Sequence, residues 1–319
     1  MTKKIAAASA AAAMICLVFA SDAVIESARY ALSLCAELIV PSLLPFFIAS
    51  ALLARLGVPI RLGRLLAPAA KRLWGVSGCG ASAFVSGLCG GYPLGAQYIS
   101  ELYSSGAVDK DEAERLLCFC SNSGPSFIIG AIGTGLFSSP AIGAALYLVH
   151  VLSAALTGVI FRRGRAAPPS EPAMTEQPPL SGALVDAVES ALRSVLSVCG
   201  FIICFCVLSG LLEHLGLYDA AVRMVPESSP YGRQLLRALL CGMLELGGGV
   251  GAMRGLPPEP AVLAAAAFML GWGGVSVHFQ TMAVLSDSEL SCRGHIFGRV
   301  VCALISAVLA AAAGALFFS

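Results

Sequence analysis

A cluster of polar and helix-breaking residues interrupts an otherwise apolar stretch at positions 121–126. Pro125 lacks a backbone N–H and clashes with the preceding turn of a helix, and Gly124 weakens a helix further. We therefore expect a membrane helix broken near mid-bilayer, whose freed N–H groups and second-half dipole favour an anion. The predicted binding residues at this break are Ser121, Asn122, Ser123, Gly124 and Ser126. A proline kink whose polar side chains satisfy their own backbone is the alternative.

A second apolar stretch is interrupted at positions 271–280. Its glycines loosen the helix, and three polar side chains follow them. His278 has an unperturbed pKa of ~6.5, so it could carry a proton near physiological pH. A neutral, hydrogen-bonded histidine is the other interpretation. The predicted binding residues here are Gly273, Gly274, Ser276, His278 and Gln280.

Two further apolar segments, 77–100 and 235–253, carry glycines in their middle. Irregular backbone is tolerated at membrane depth only inside protein, so we predict two re-entrant hairpins. The first hairpin offers Gly91, Tyr92 and Gln97 as binding residues. The second carries Glu245, and inserting a carboxylate costs about 2.5–3.5 kcal/mol, which makes this residue a functional candidate. Glu245 could bind a coupling cation, exchange a proton, or have a structural role paired with a base such as Arg254.

The composition is that of a membrane protein. Hydrophobic residues make up 57% of the chain and charged residues 12%, about half the charged fraction of a soluble domain. Several apolar runs approach the roughly 20 residues that a membrane-spanning helix needs. We predict an all-α polytopic membrane protein with broken transmembrane helices. The net charge of +1 gives no indication of nucleic-acid binding.

The sequence offers little support for an enzyme. No metal-ligand spacing and no phosphate-binding loop are present, so we predict neither a metal nor a cofactor. Ser126 with His150 or His278 could suggest an intramembrane serine protease, in which a histidine activates the serine. However, Phe127 follows Ser126, which leaves the Gly-x-Ser-Gly pattern of rhomboid proteases incomplete. We predict no enzymatic activity.

The chain contains an internal repeat. Residues 45–57 and 204–216 match at six of thirteen positions, and each copy is followed by a glycine-rich hairpin and an interrupted span. Each repeat has three predicted spans, an odd number, so the repeats should have opposite orientations, a pattern typical of transporters. Basic residues around 55–72 indicate a cytoplasmic connection. The predicted organisation has seven spans: an N-terminal transmembrane segment (1–26), a first repeat (27–161), a proline-rich cytoplasmic linker (162–186) and a second repeat (187–319).

Four segments resemble those of the YlbJ-type sporulation integral membrane proteins. They are 41–47, 90–96, 120–130 and 273–280, and the resemblance extends over roughly residues 27–285. That family belongs with the nucleoside-recognition, or Gate, domain proteins and is similar in plan to concentrative nucleoside transporters. The resemblance thus implies that the two halves are Gate repeats.

The resemblance also implies a function. One member type, stage V sporulation protein VV, is implicated in moving dipicolinic acid out of the mother cell across the outer forespore membrane. We therefore expect export of a small organic anion by alternating access, in the bacterial cytoplasmic membrane or the outer forespore membrane. The expected partners are the anionic substrate and the lipid bilayer, with a homo-oligomer left open. A nucleoside carrier, or a non-transporting Gate protein needed for spore assembly, are the alternatives.

Overall fold

The computed structural model describes residues 11, 14–162, 179–227, 229 and 231–317, and within these ranges every regular element is a helix. Five helices are long and apolar enough to cross a membrane, or six if one bent pair counts as a span. The all-helical, polytopic prediction is confirmed at this level. The apolar stretch around residues 121–126 is interrupted, as expected, because no regular element covers 121–124.

In the described residues of the first half, seven helices follow the helical stretch 14–19. They are α1 (Ser21–Arg55), α2 (Val58–Leu73), α3 (Gly78–Gly90), α4 (Leu94–Ser104), α5 (Lys110–Leu117), α6 (Ser126–Leu136) and α7 (Pro140–Ile160). α1 passes through a short π-helical turn at Cys35–Ile39, and α6 is wound as a π-helix over its full length. α3 and α4 form the first hairpin, and α5 and α6 flank the first break.

The second half contains the other seven helices. They are α8 (Leu180–His214), α9 (Leu217–Val222), α10 (Gly232–Leu244), α11 (Leu246–Ala252), α12 (Pro260–Trp272), α13 (Gly274–Val284) and α14 (Arg293–Phe317). The order of elements matches that of the first half: a long helix, a short helix, a hairpin, a broken helix and a closing helix. α1 and α8 are both followed by Leu-Gly, and the two glycines, Gly57 and Gly216, have φ angles of 70° and 71°.

α2 is a helix that the sequence analysis assigned to a cytoplasmic connection. It lies at 105° to α3 and carries four basic residues and no acidic one: Arg61, Arg64, Lys71 and Arg72. Its leucines alternate with these charges at helical spacing, and Leu65 is 77% exposed. Gly63 allows close packing, because a Cβ there would lie 2.7 Å from Ser82 Cβ of α3. The basic residues of this segment led to its assignment as a connection, but they lie on an amphipathic helix.

Parts of three predicted segments lie outside the described residues. These are residues 1–10, 12 and 13 of the N-terminal segment 1–26, residues 163–178 of the linker 162–186, and residues 228, 230, 318 and 319 of the second repeat. Residues 14–19 are helical, and the Ala20 N–H donates to the Cys16 carbonyl at 2.9 Å, so this stretch runs directly into α1. Residues 180–186, predicted as linker, form the first two turns of α8.

The two halves share one apolar core. α1, α6 and α7 contribute Phe47, Ile128 and Leu146 to it, and the second half contributes Ile202 and Met269. α1 and α8 pack along each other, as do α12 and α14, and α6 and α7. A smaller aromatic cluster of Trp74, Phe84 and Phe119 supports the first hairpin. The two broken helices therefore meet inside one packed body.

Candidate functional site

The first break is an unwound stretch between α5 and α6. No regular element covers residues 121–124, and the side chains of Ser121, Asn122 and Ser123 are buried there. The Asn122 amide donates to the Phe119 carbonyl at 2.9 Å, and the Ser123 N–H donates to His150 Nε2 at 3.1 Å. The predicted helix break is confirmed, and some of its polar groups satisfy nearby backbone, as the kink alternative supposed.

The second break is shorter. α12 ends at Trp272, and Gly273 and Gly274 have φ angles of 85° and 84°, a left-handed conformation that suits glycine. α13 begins at once. The Gln280 amide donates to Ser276 Oγ at 3.2 Å, and the His278 ring lies edge-on to the Trp272 ring with centroids 4.3 Å apart. The two glycines thus redirect the chain without a long unwound segment.

Each hairpin tip touches the break of its own half. A Cβ on Gly91, at the tip between α3 and α4, would lie 2.8 Å from Gly124 N. A Cβ on Gly274 would lie 3.1 Å from both the Leu244 carbonyl oxygen and Leu246 N, at the tip between α10 and α11. Only backbone without side chains allows approaches this close. The four irregular segments therefore form two contacting pairs, one in each half.

Tyr92 connects the first hairpin tip to the second half. Its hydroxyl donates to the Leu270 carbonyl at 3.3 Å. Its ring is close enough to Gly273 that a Cβ there would lie 3.4 Å from Tyr92 Cζ. The first tip consequently bridges both breaks.

A central cavity of about 50 Å³ lies among these segments. Six residues predicted from the sequence line it: Gly91, Tyr92, Ser123, Gly124, Glu245 and Gln280. Its apolar walls come from α1, α6, α8 and α13, through residues that include Leu43, Phe127, Ile202 and Val277. The remaining residues predicted at the two breaks do not line it: Ser121, Asn122, Ser126, Gly273, Gly274, Ser276 and His278.

Two larger cavities lie at opposite ends of the α1–α8 pair. One of about 590 Å³ is lined by Glu26, Tyr30 and Glu213, near the start of α1 and the end of α8. The other, of about 420 Å³, is lined by Arg55 and Asp186, at the reverse ends. Gln97 lines this second cavity, where its amide donates to Glu101 Oε1 at 3.2 Å. Gln97 was predicted to lie with the central binding residues, but it lines this second cavity instead.

Glu245 caps its own short helix. One carboxylate oxygen accepts a hydrogen bond from Gly247 N at 2.9 Å, and the other accepts from Gly248 N. The Cys206 thiol also donates to this carboxylate, at 3.7 Å. Arg254, the base considered as a partner, is exposed, and no ion pair joins it to Glu245 in the described part of the chain. These donors explain how a carboxylate is accommodated at this buried position.

Two residues that the sequence analysis missed lie beside the predicted ones. Arg299 of α14 is fully buried, and its Nη1 donates to Tyr92 Oη at 2.9 Å and to Asn122 Oδ1 at 3.4 Å. His295, one turn earlier, lies with its ring centroid 5.1 Å from that of His278. The signal that could have identified Arg299 is a charged residue inside the apolar run 296–318.

The first half also has a buried acid outside the spans. Glu112 of α5 accepts a hydrogen bond from Ser77 N at 2.6 Å and thereby holds the start of α3. Burial raises the pKa of Glu112, and the hydrogen bonds from Ser77 oppose this only in part. Among the described residues, no group of three or more His, Cys, Asp or Glu could hold a metal ion.

One curated relative matches most of the chain. The sporulation integral membrane protein YlbJ of Bacillus subtilis (strain 168) is 31% identical over 310 residues, which cover 89% of this chain and 76% of that protein. The chain belongs to the YlbJ family. No family model matches it, and no solved structure is similar to it. Only about a tenth of this YlbJ-family chain lies outside the match. The matched region therefore includes most of both hairpins and both breaks.

Proposed function

We propose that the chain is a membrane carrier for a small organic anion, which crosses by alternating access at a site between the two broken helices. The observation that carries this proposal is that both hairpin tips, the first break and the helix that follows the second break line one cavity. Broken helices that converge in the membrane interior are the usual binding elements of secondary transporters.

The positions of the three cavities support this mechanism. On α1, the large cavities contact Ser27 and Arg55, and the central cavity contacts Ile39, which lies between them. Ser27 and Arg55 are roughly 40 Å apart along a straight helix, which is more than the hydrocarbon thickness of a bilayer. A substrate could therefore approach the central site from either end, with a narrow barrier on each side.

The equivalent order of elements in the two halves supports an inverted repeat with two re-entrant hairpins. In such a fold, one repeat or bundle moves against the other and exposes the site to each side in turn. The central cavity of about 50 Å³ is too small for an organic anion, so transport would need this movement to widen it.

Dipicolinate is the substrate that we propose. The relationship to a sporulation membrane protein supports it, as do the aromatic rings of Tyr92 and Phe127, which line the cavity and could flank a flat ring. The N–H groups at the start of α6 would face a carboxylate. For this function the protein would reside in the outer forespore membrane.

The test is uptake of labelled dipicolinate by vesicles that contain the purified protein. We expect flux above that of protein-free vesicles, and equal flux would overturn the proposal. S126A and E245Q change groups at the first break and at the cavity, so both should reduce flux in a folded protein. R72Q, at an exposed position of α2 that lines none of the three cavities, is the control. A folded scaffold would tolerate all three changes, and inhibition by uridine would instead indicate a nucleoside carrier.

A further inference from the structure

Arg299 is a buried charge without a counter-ion in the described part of the chain. Its side chain is 0% exposed, and its Nε and Nη2 atoms have no hydrogen-bond partner there. Its two acceptors, Tyr92 Oη and Asn122 Oδ1, are both neutral. Among the residues that the structure describes, none offers a carboxylate within ion-pair distance of this guanidinium. Burying an ion costs several kcal/mol unless an opposite charge compensates it.

The groups around Arg299 add donors and no negative charge. Three of the four histidines, His150, His278 and His295, are buried close enough to interact electrostatically with it. The Ser121 hydroxyl and both His278 nitrogens also have no hydrogen-bond partner. Each half contributes to this cluster. A cluster rich in donors and lacking an anion is suited to receive one.

A purely structural role for Arg299 explains only part of this geometry. Its Nη1 joins α14 to the first hairpin tip and to the first break, which would hold the two halves together. A residue that served only as this anchor would not need to leave two further nitrogens, with three N–H groups between them, buried and unpaired, because such groups are costly.

Tyr92 separates Arg299 from the central cavity. Its side chain lines the cavity, and its hydroxyl accepts from Arg299 at the same time. The ring centroid lies 6.0 Å from the guanidinium carbon. The phenolic oxygen thus occupies the position where an anionic oxygen would make a stronger, charge-assisted bond.

We propose that Arg299 is the carboxylate-binding residue of the carrier, and that Tyr92 covers it until a substrate carboxylate takes the place of the phenolic oxygen. This inference rests on the proposed function and specifies its substrate class as planar carboxylates. The guanidinium fork matches a carboxylate with two parallel N–H···O bonds, a geometry that lysine cannot provide.

The experiment measures equilibrium binding of radiolabelled dipicolinate to the purified full-length protein in detergent. We expect R299Q to weaken binding by at least ~30-fold, since it removes a buried, charge-assisted contact. R299K should recover only part of the affinity. Y92F keeps the ring and removes the competing oxygen, so its binding should equal or exceed that of the wild type. R72Q, the same change at an exposed position away from the three cavities, should bind as the wild type does.

Stability without ligand separates binding from folding. R299Q removes an uncompensated charge, so its unfolding temperature should equal or exceed that of the wild type. Wild-type affinity in R299Q, or a loss in Y92F as large as that in R299Q, would overturn the inference while leaving transport intact.

A failure to detect transport would overturn the proposed function, and it is distinguished from a failure of the Arg299 inference as follows. If vesicles show no dipicolinate flux, the proposed function is wrong, and Arg299 is then tested alone by thermal unfolding with benzoate, pyridine-2-carboxylate or phenyl phosphate. We expect the carboxylates to stabilise the wild type and not R299Q. If neither carboxylate stabilises the wild type, or if both variants respond equally, the inference is overturned as well.

Discussion

The two broken helices reach the same place by different means. The first is interrupted by an unwound stretch over 121–124, whose side chains are neutral, and the Tyr92 tip packs against it. The second bends at two glycines and leaves almost no backbone unwound. The charged groups belong to the second half, where Glu245 lies at the hairpin tip and Arg299 on the closing helix.

This difference separates two tasks within one architecture. The first half supplies free backbone groups and neutral hydroxyls and amides, which adapt to a ligand at little electrostatic cost. The second half supplies the fixed charge and two of the three buried histidines, His278 and His295. Neither half alone contains the complete set of groups at the centre. We therefore expect substitutions in the first half and in the second half to have different effects on the stability of the protein.

The largest effect on stability should come from adding a methyl group where the first hairpin packs against the first break. In G87A the new methyl group would overlap the Cys120 carbonyl oxygen, next to the unwound stretch. We expect a loss of more than ~3 kcal/mol in the free energy of unfolding, measured by SDS titration in mixed micelles. G249A, whose methyl group would overlap backbone of α10 in the second hairpin, should also be destabilising but less so.

G200A is the matched control for these glycine variants. Gly200 lies within α8 and has no neighbour within 4 Å of a new Cβ. The substitution should be neutral or stabilise the helix by up to ~1 kcal/mol. If G87A proves as mild as G200A, the hairpin tip does not pack tightly against the first break.

An intermediate effect is expected at the second hairpin tip. E245A removes the side chain that accepts from Gly247 N and Gly248 N, and the loss of such a cap costs about 2 kcal/mol. E245Q keeps one good acceptor and should cost about half as much. Unfolding titrations of the two variants check this order. Equal stability of E245A and the wild type would show that the carboxylate does not hold this tip.

A smaller effect is expected in the pH dependence of stability, through Glu112 in the first half. Because the pKa of Glu112 is raised above its ordinary 4.5 in the folded protein, the folded state binds this proton more tightly than the unfolded state does. Its contribution to stability is therefore present at low pH and is lost as the pH rises from about 4.5 through the folded-state pKa. The unfolding temperature of E112Q, followed over this range, should fall less than that of the wild type. E289Q, at an exposed position, should follow the wild type, and parallel curves for all three proteins would contradict the prediction.

The smallest effect should appear where the two halves meet at the Arg55 end. Arg55 and Asp186 form an ion pair of 2.9 Å between α1 and α8, and both side chains are substantially exposed. A double-mutant cycle with R55A and D186A should give a coupling energy of ~0.2–1 kcal/mol that decreases with added salt. A coupling well above this range would mean that the pair is more shielded from water than its exposure indicates.

The sequence predicted best what local backbone chemistry controls. Pro125 with its polar neighbours, and the adjacent glycines at 273–274, weaken a helix locally, so both breaks were predictable, although α1 and α2 accommodate Pro45 and Pro68 in their interiors. The role of Glu245 as a cap depends on how one side chain turns back toward Gly247 and Gly248, which spacing alone does not determine. Arg299 was missed because a basic residue near the end of a span was assigned to the cytoplasmic side, and only packing brings it against Tyr92.

The small volume of the central cavity between two much larger ones has an electrical consequence. If water fills the two end cavities, the membrane potential falls mainly across the thin layer of protein between them. On α8 this layer extends from Ser197 to Cys206, roughly 13 Å along the helix axis. A charge that crossed it would then experience most of the voltage, about 2.3 kcal/mol per elementary charge for each 100 mV. A short step at this constriction would therefore be electrogenic to nearly the same degree as a full crossing of the bilayer.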